Sequence, residues 1–315
     1  MHGRGAKPER RVLLANVQQA LLGRLAQVDR DAAGALEQGA VRLTLAYYGD
    51  ITTQLMVEAR PERAASMIRR HGKVYEPPGE DRPWLDRLVA RPLRRHSAED
   101  YRQLVREHRN LRFLDDVLRV ASPLGSLTRL GIGAIARLFP DLGAYLRTRR
   151  WGSAIRRRVQ RVLGLALRQG DDLAIVAHSM GAIVAYDVLW KLSRLGEHRR
   201  MHDKKVSLWL TLGSPLGDGI IRRQLYDADE PDDGVYPANI VDWVNVAAHD
   251  DFVVHHAGAE ANFSTMQERG LVRRIRDLPR IYTFWVGPTG SNPHKSFGYL
   301  NHPAVARTLA KWIRR

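Results

Sequence analysis

The sharpest chemical signal in this 315-residue chain is a serine held between small neighbours. Leu173-Ala-Ile-Val-Ala177 is a wholly apolar run, of the kind that forms a buried parallel strand. His178, Ser179, Met180 and Gly181 follow, and Ala182 to Leu195 has helical spacing. A tight strand-to-helix turn at Ser179 lifts its hydroxyl out of the sheet. Strand and helix then pass so close that the residues two before and two after must be small, as Ala177 and Gly181 are. The plainer reading is a serine at a strand end with no chemistry. An alcohol nucleophile needs a base, and the base needs an acid to orient it. His249, His255, His256, His294 and His302 lie downstream, with Asp250 and Asp251 among the acids. His178 is a poor base for Ser179, because adjacent residues on such a turn point apart.

The segment Ala177-His178-Ser179-Met180-Gly181, with its strand and helix, resembles the nucleophile elbow of the α/β-hydrolase superfamily. That elbow is usually Gly-x-Ser-x-Gly, and Ala177 stands in place of its first glycine. The chain looks most like bacterial lipase/esterase-type members with an Ala-His-Ser-Met-Gly elbow. The resemblance implies the chain order serine, then acid, then histidine. Asp251, in Asp251-Phe-Val-Val254, resembles the acid that follows the penultimate core strand, with Asp250 as its alternative. His294, in Pro293-His-Lys-Ser-Phe-Gly-Tyr299, resembles the histidine between the last strand and the last helix. Its competitor His302 lies beside Pro303 and looks like a helix-start residue, while His249, His255 and His256 precede the last strand. The implied oxyanion donors are the backbone N–H groups of Met180 and of Arg4, the latter in His2-Gly-Arg-Gly5, which resembles the family's His-Gly-x-Gly loop. In relatives an apolar strand leads straight into that loop. Here only Met1 precedes it, so the resemblance predicts either a start upstream of Met1 or the loss of that strand.

Two further stretches are family-like. Thr211 to Gly217 resembles a loop near the site, where Ser214 either lines the pocket or belongs to a structural turn. Asp141 to Tyr145 carries no assigned chemistry. The implied activity is hydrolysis of carboxylic esters, lipids or phospholipids among them, through a Ser179–His294–Asp251 triad and an acyl-enzyme. An acyltransferase with the same triad and a catalytically inactive hydrolase-like scaffold are the alternatives.

These residues need a frame. Arg11 to Leu25 has helical spacing, and Val41 to Tyr48 reads as a strand ended by Gly49-Asp50. Residues 51–150 read as a polar, proline-cut helical region that suits an inserted cap or plain core helices. Within it, Leu124, Leu127, Leu130, Ile132, Ile135, Leu138, Leu142 and Tyr145 form an amphipathic stripe. Ser153 to Arg168 predicts a helix. Strands are predicted at Val206–Leu212, Ile240–Val246 and Ile281–Val286, and a closing helix at Pro303–Ile313. Strands alternating with helices predict an α/β fold with a mainly parallel sheet covered on both faces. The expected organisation is a single α/β-hydrolase domain over 1–315 with the 51–150 insertion.

Composition bounds the rest. The chain has no cysteine, which excludes disulfides, thiolate metal sites and cysteine nucleophiles, and fits a cytoplasmic protein. The stretches free of charged residues, Leu173 to Tyr186 and Ile281 to His294, are shorter than the roughly 18 residues of a membrane span. The N-terminus has no apolar signal region. No metal-ligand spacing or phosphate-binding loop is present, Gly131-Ile-Gly133 being a weak echo that follows no strand, so neither metal nor cofactor is expected. The net charge of +16 raises nucleic acid and anionic membranes as partners. No nucleic-acid module accompanies it. The amphipathic stripe and the Arg147–Arg161 cluster suit acyl chains and anionic head groups, so peripheral contact with an anionic membrane is the better-motivated partner.

Overall fold

The first half of the chain lays down helices that later cover a sheet. The computed structural model describes residues 1–108, 132–232, 234–254 and 258–315. Helix α1 (Arg10–Val28) buries Leu13, Leu21 and Leu25 on the face that the spacing predicts. Helix α2 (Arg30–Glu37) follows at once, capped by the Asp29 carboxylate on the Ala32 N–H at 3.0 Å. Residues 41–48 then run without helix or strand, with Leu45 buried and Arg42 and Thr44 exposed. They join no ladder, which corrects the strand predicted at Val41–Tyr48.

The 51–150 region comprises, among the described residues, α3 (Gly49–Ala59), β1 (Ile68–Arg70), β2 (Lys73–Tyr75), α4 (Arg82–Ala90), α5 (Ala98–Glu107), α6 (Ile132–Leu138) and α7 (Pro140–Arg147). The expected Leu124, Leu127 and Leu130 of the apolar stripe lie outside the described residues. The region is not wholly helical: β1 and β2 make an antiparallel hairpin that turns at His71-Gly72, both at positive φ.

Helix α8 (Arg149–Gln169) buries Ile155, Val159, Leu163 and Leu167. Gly170, left-handed at φ 74°, ends it and leads to β3 (Ala174–His178). The chain continues through α9 (Met180–Arg194), β4 (Val206–Leu212), β5 (Ile240–Ala248), β6 (Arg274–Ile281), α10 (Ser296–Leu300) and α11 (Pro303–Ile313). Strands β3, β4, β5 and β6 pair in that order, all parallel. Leu208, Leu210, Leu212, Val244 and Val246 pack with α1, α2 and α11 on one face. On the other, Trp209 and Trp243 lie 4.3 Å apart between ring centroids and pack with α8 and α9. The molecule is therefore a mixed α/β protein with a four-stranded parallel sheet flanked by helices. Among the described residues, no helix is long and apolar enough to cross a membrane.

The last strand differs from the expected Ile281–Val286. Pairing runs over Arg274–Ile281, a charged stretch of which only Ile275 and Ile281 are buried. It is an edge strand, so its outer face tolerates arginine, and a register shift between Val246 and Ala248 accommodates Pro279. Tyr282 to Trp285 continue outside any ladder, with Thr283, Phe284 and Trp285 buried, and only Val286–Gly287 pairs, with Gly290–Ser291.

Candidate active site

Ser179 sits where β3 turns into α9. Its backbone is at φ 53° and ψ −126°, a sparsely populated region that costs a side-chain-bearing residue about 1–3 kcal/mol. The small neighbours make the turn feasible. Ala177 is fully buried, and a Cβ on Gly181 would lie 2.7 Å from the His2 carbonyl oxygen. A serine at this helix start would ordinarily cap it with its own hydroxyl. The Ser179 hydroxyl makes no capping bond and lies 2.9 Å from His294 Nε2.

His294 comes from the loop before α10. Its Nδ1 is 2.7 Å from Asp251 Oδ2, so the carboxylate accepts from Nδ1–H and leaves Nε2 to accept from the serine hydroxyl. Asp251 follows β5 and is buried. Its Oδ2 also accepts from the Tyr299 hydroxyl at 2.6 Å, and its Oδ1 from the Val253 N–H at 3.0 Å. Burial, with Asp251 beside it, pushes the Tyr299 phenol well above its usual range, so it stays protonated and donates.

The N-terminal loop crosses over the elbow. A Cβ on Gly3 would lie 2.7 Å from His178 Nδ1 and 3.0 Å from Ser179 Cβ, so only glycine fits there. Arg4 follows beside the site. Two tethers shape this loop. Buried Asp141 accepts from the Gly5 N–H at 2.5 Å and from Arg4 Nε at 3.3 Å. Lys7 Nζ donates to the carbonyls of Arg4 at 2.7 Å and Ala6 at 3.1 Å. Met180 opens α9, where a first-turn N–H has no partner within the helix.

No family model, curated protein or solved structure matches this chain.

The structure brings Ser179, His294 and Asp251 into one hydrogen-bonded line; Arg4 lines the same cavity as Ser179 and His294, and Met180 follows Ser179 in the chain. The other candidates sit elsewhere. Asp250 pairs with His249 at 2.6 Å, and both are exposed. His302 accepts from the Ala304 N–H at 3.1 Å and caps α11. His255 and His256 lie outside the described residues. Ser214 caps the short turn Pro215–Gly217 through the Leu216 N–H, a structural role. Among the described residues no group of acids and histidines could hold a metal ion.

Several residues at the site carried no role in the sequence. His178 Nε2 donates to the His294 carbonyl oxygen at 2.8 Å. Gly213, at φ 55°, lies so close that a Cβ would meet Asp251 Oδ2 at 3.0 Å and His294 Nδ1 at 3.2 Å. Asn292 Oδ1 accepts from the His294 N–H at 3.0 Å. Lys295 pairs with Asp81 at 2.8 Å, which ties the 51–150 region to the histidine loop. Asp141 was visible only as part of a family-like stretch, and Tyr299 only as the end of the histidine motif.

Proposed function

We propose that the protein is a serine hydrolase of the α/β-hydrolase superfamily that cleaves carboxylic esters. The observation that carries this reading is the unbroken hydrogen-bonded line from Asp251 through His294 to a serine hydroxyl on a strained turn. In this reading His294 Nε2 takes the Ser179 proton as the oxygen attacks the acyl carbonyl. Asp251 holds the imidazole in the tautomer that accepts at Nε2 and stabilises the imidazolium. The backbone N–H groups of Met180 and Arg4 receive the developing oxyanion. The C–O bond to the alcohol breaks, and His294 returns the proton to the departing oxygen. Water, deprotonated by the same nitrogen, then releases the acid from Ser179.

The whole chain is read as one hydrolase domain, with the 51–150 region as a cap beside the histidine loop. Arg149, Arg150, Arg157 and Arg161 are exposed along α8 on a chain of net charge +16, which favours esters with an anionic group, phospholipids among them. The test is turnover of a p-nitrophenyl ester series by the protein and by Ser179→Ala. The reading expects turnover by the former and at least about a 10³-fold loss in the variant. Equal turnover by both would remove it.

A further inference from the structure

About two turns along α9 from Ser179, Tyr186 belongs to a separate polar centre. Its hydroxyl donates to Asp227 Oδ2 at 2.6 Å. Burial, with Asp227 beside it, pushes the Tyr186 phenol well above its usual range, so it stays protonated and donates. The Tyr236 N–H donates to the same oxygen at 2.8 Å. Tyr236 does so at φ 75°, a left-handed backbone that is strained for a tyrosine. Helix α9 holds that strain in place. Trp190 Nε1 donates to the Gly234 carbonyl at 2.9 Å, and Arg194 Nε donates to the Tyr236 carbonyl at 2.9 Å.

Asp227 is only 4% exposed, and both groups on its Oδ2 are neutral. Among the described residues no Lys, Arg or His pairs with it. A buried carboxylate without a cation is costly. Its Oδ1 has no hydrogen-bond partner among the described residues and is not sealed in, so it opens on the cavity of about 320 Å³ that Asp227 lines. That cavity also carries the opposite charge. Arg222 and Arg223 line it, and neither is paired with an acid among the described residues. The half-buried Arg222 is held with its guanidinium 5.1 Å from the centre of the Phe263 ring. Leu225 and Val235 add apolar wall. None of these residues lines the cavity that holds Ser179 and His294.

Asp227 and Arg222 thus share one cavity without forming an ion pair. A molecule that satisfies both needs a cation at one end and an anion at the other. The volume lies at the small end of ligand pockets, so that molecule has few heavy atoms. We propose that this cavity binds a small zwitterion, with a primary ammonium group on Asp227 Oδ1 and a carboxylate on Arg222 and Arg223. A short methylene linker lies against Leu225 and Val235. The ammonium supplies the cation that the buried carboxylate lacks, and the guanidinium fork matches a carboxylate with two parallel bonds. A bare amine meets only the acid, and a bare carboxylate only the arginines. The site takes no part in ester cleavage, so it stands or falls separately from the activity proposed above.

The test is isothermal titration calorimetry on the full chain with glycine, β-alanine, 4-aminobutyrate and 5-aminopentanoate. Butylamine and butyrate serve as the two halves of the ligand. At least one zwitterion is expected to bind saturably at one site per chain, at least about tenfold more tightly than either half. Asp227→Asn keeps an acceptor for Tyr186 and Tyr236 and removes the charge, and it is expected to weaken that zwitterion about tenfold or more. Arg222→Gln combined with Arg223→Gln alters side chains that are not fully buried and is expected to do the same, which keeps the test decisive if Asp227→Asn fails to fold. Saturable binding by none of the zwitterions would overturn the proposal. So would butylamine binding as tightly as the best of them, or the arginine variant binding that zwitterion undiminished.

Discussion

His178 stands next to Ser179 in the chain but acts on His294. A carbonyl can only accept, so the bond to the His294 carbonyl fixes the His178 proton on Nε2. Burial, with His294 nearby, holds the His178 pKa well below the usual 6.5, so the ring stays neutral and keeps this arrangement through neutral pH. His178→Ala is expected to lower kcat about fivefold with KM little changed, since one neutral hydrogen bond is worth about 1 kcal/mol. Steady-state kinetics on a p-nitrophenyl ester separate the two constants, and a change confined to KM would contradict the positioning role. Tyr299→Phe removes a donor from Asp251 and strips the Ala248 N–H of its acceptor at 2.9 Å. We expect about a tenfold loss in kcat/KM together with about 1–2 kcal/mol of stability, read by denaturant melts. Ser179, Asp251 and His294 were legible in the sequence because each lies in a short motif with a place in the chain order. Tyr299 and Asp141 had no legible role, because their contacts to Asp251 and Gly5 bridge 48 and 136 residues.

At the scale of elements, close approach decides what the site tolerates. The loop after β4 passes behind the acid and the histidine at Gly213, where a methyl group has neither the room nor the backbone conformation. Gly213→Ala is expected to abolish most ester turnover and to lower the melting midpoint. A fully active variant would mean that the loop moves freely. Asp141 links α7 to the N-terminal loop, and Asp141→Ala leaves the Gly5 N–H and the Arg4 guanidinium without their carboxylate. A loss of about 10–100-fold in kcat is expected if that loop supplies an oxyanion donor. Stopped or steady-state turnover reads it, and unchanged kcat would remove Arg4 from the site. The elements that the sequence placed well, α1, β3 to β5 and α11, have clean periodicity. Those it misplaced do not. The edge strand β6 is written in arginines with a proline, so its pairing comes from Asp242 to Ala248 across the sheet and not from its own apolar pattern. Residues 41–48 have the pattern of a strand, but a ladder also needs a neighbour, and the sheet presents none beside them.

For the whole molecule, buried histidines set the response to acid. Burial lowers the pKa of His302 to about 3 and of His96 to about 4, and it takes His2 and His178 well below 6.5. In the unfolded chain these groups take up protons near pH 6.5, and in the folded chain they do not. Their contribution is therefore complete above that pH and is lost as pH falls below it. For His302 the loss at pH 5 is about 2 kcal/mol. Asp187 works in the opposite sense: burial raises its pKa to about 6, so acidification relieves a penalty present at neutral pH. Glu76, also raised by burial, acts in the same sense as Asp187, but the four imidazoles outnumber these two carboxyls, and the melting midpoint is expected to fall from pH 7 to pH 5. His302→Asn, which retains a capping side chain, should flatten that slope. Melts at constant ionic strength across this range check both statements, and a midpoint that rises toward pH 5 would contradict them.

An activated Ser179 nucleophile would react with a fluorophosphonate probe, which labels serines of this kind covalently. The folded protein should take up one probe per chain, mapped to Ser179 by peptide mass spectrometry. Uptake should vanish in Ser179→Ala and fall steeply in His294→Ala. A folded protein that takes up no probe, or takes it up elsewhere than Ser179, would mean that Ser179 is not an activated nucleophile.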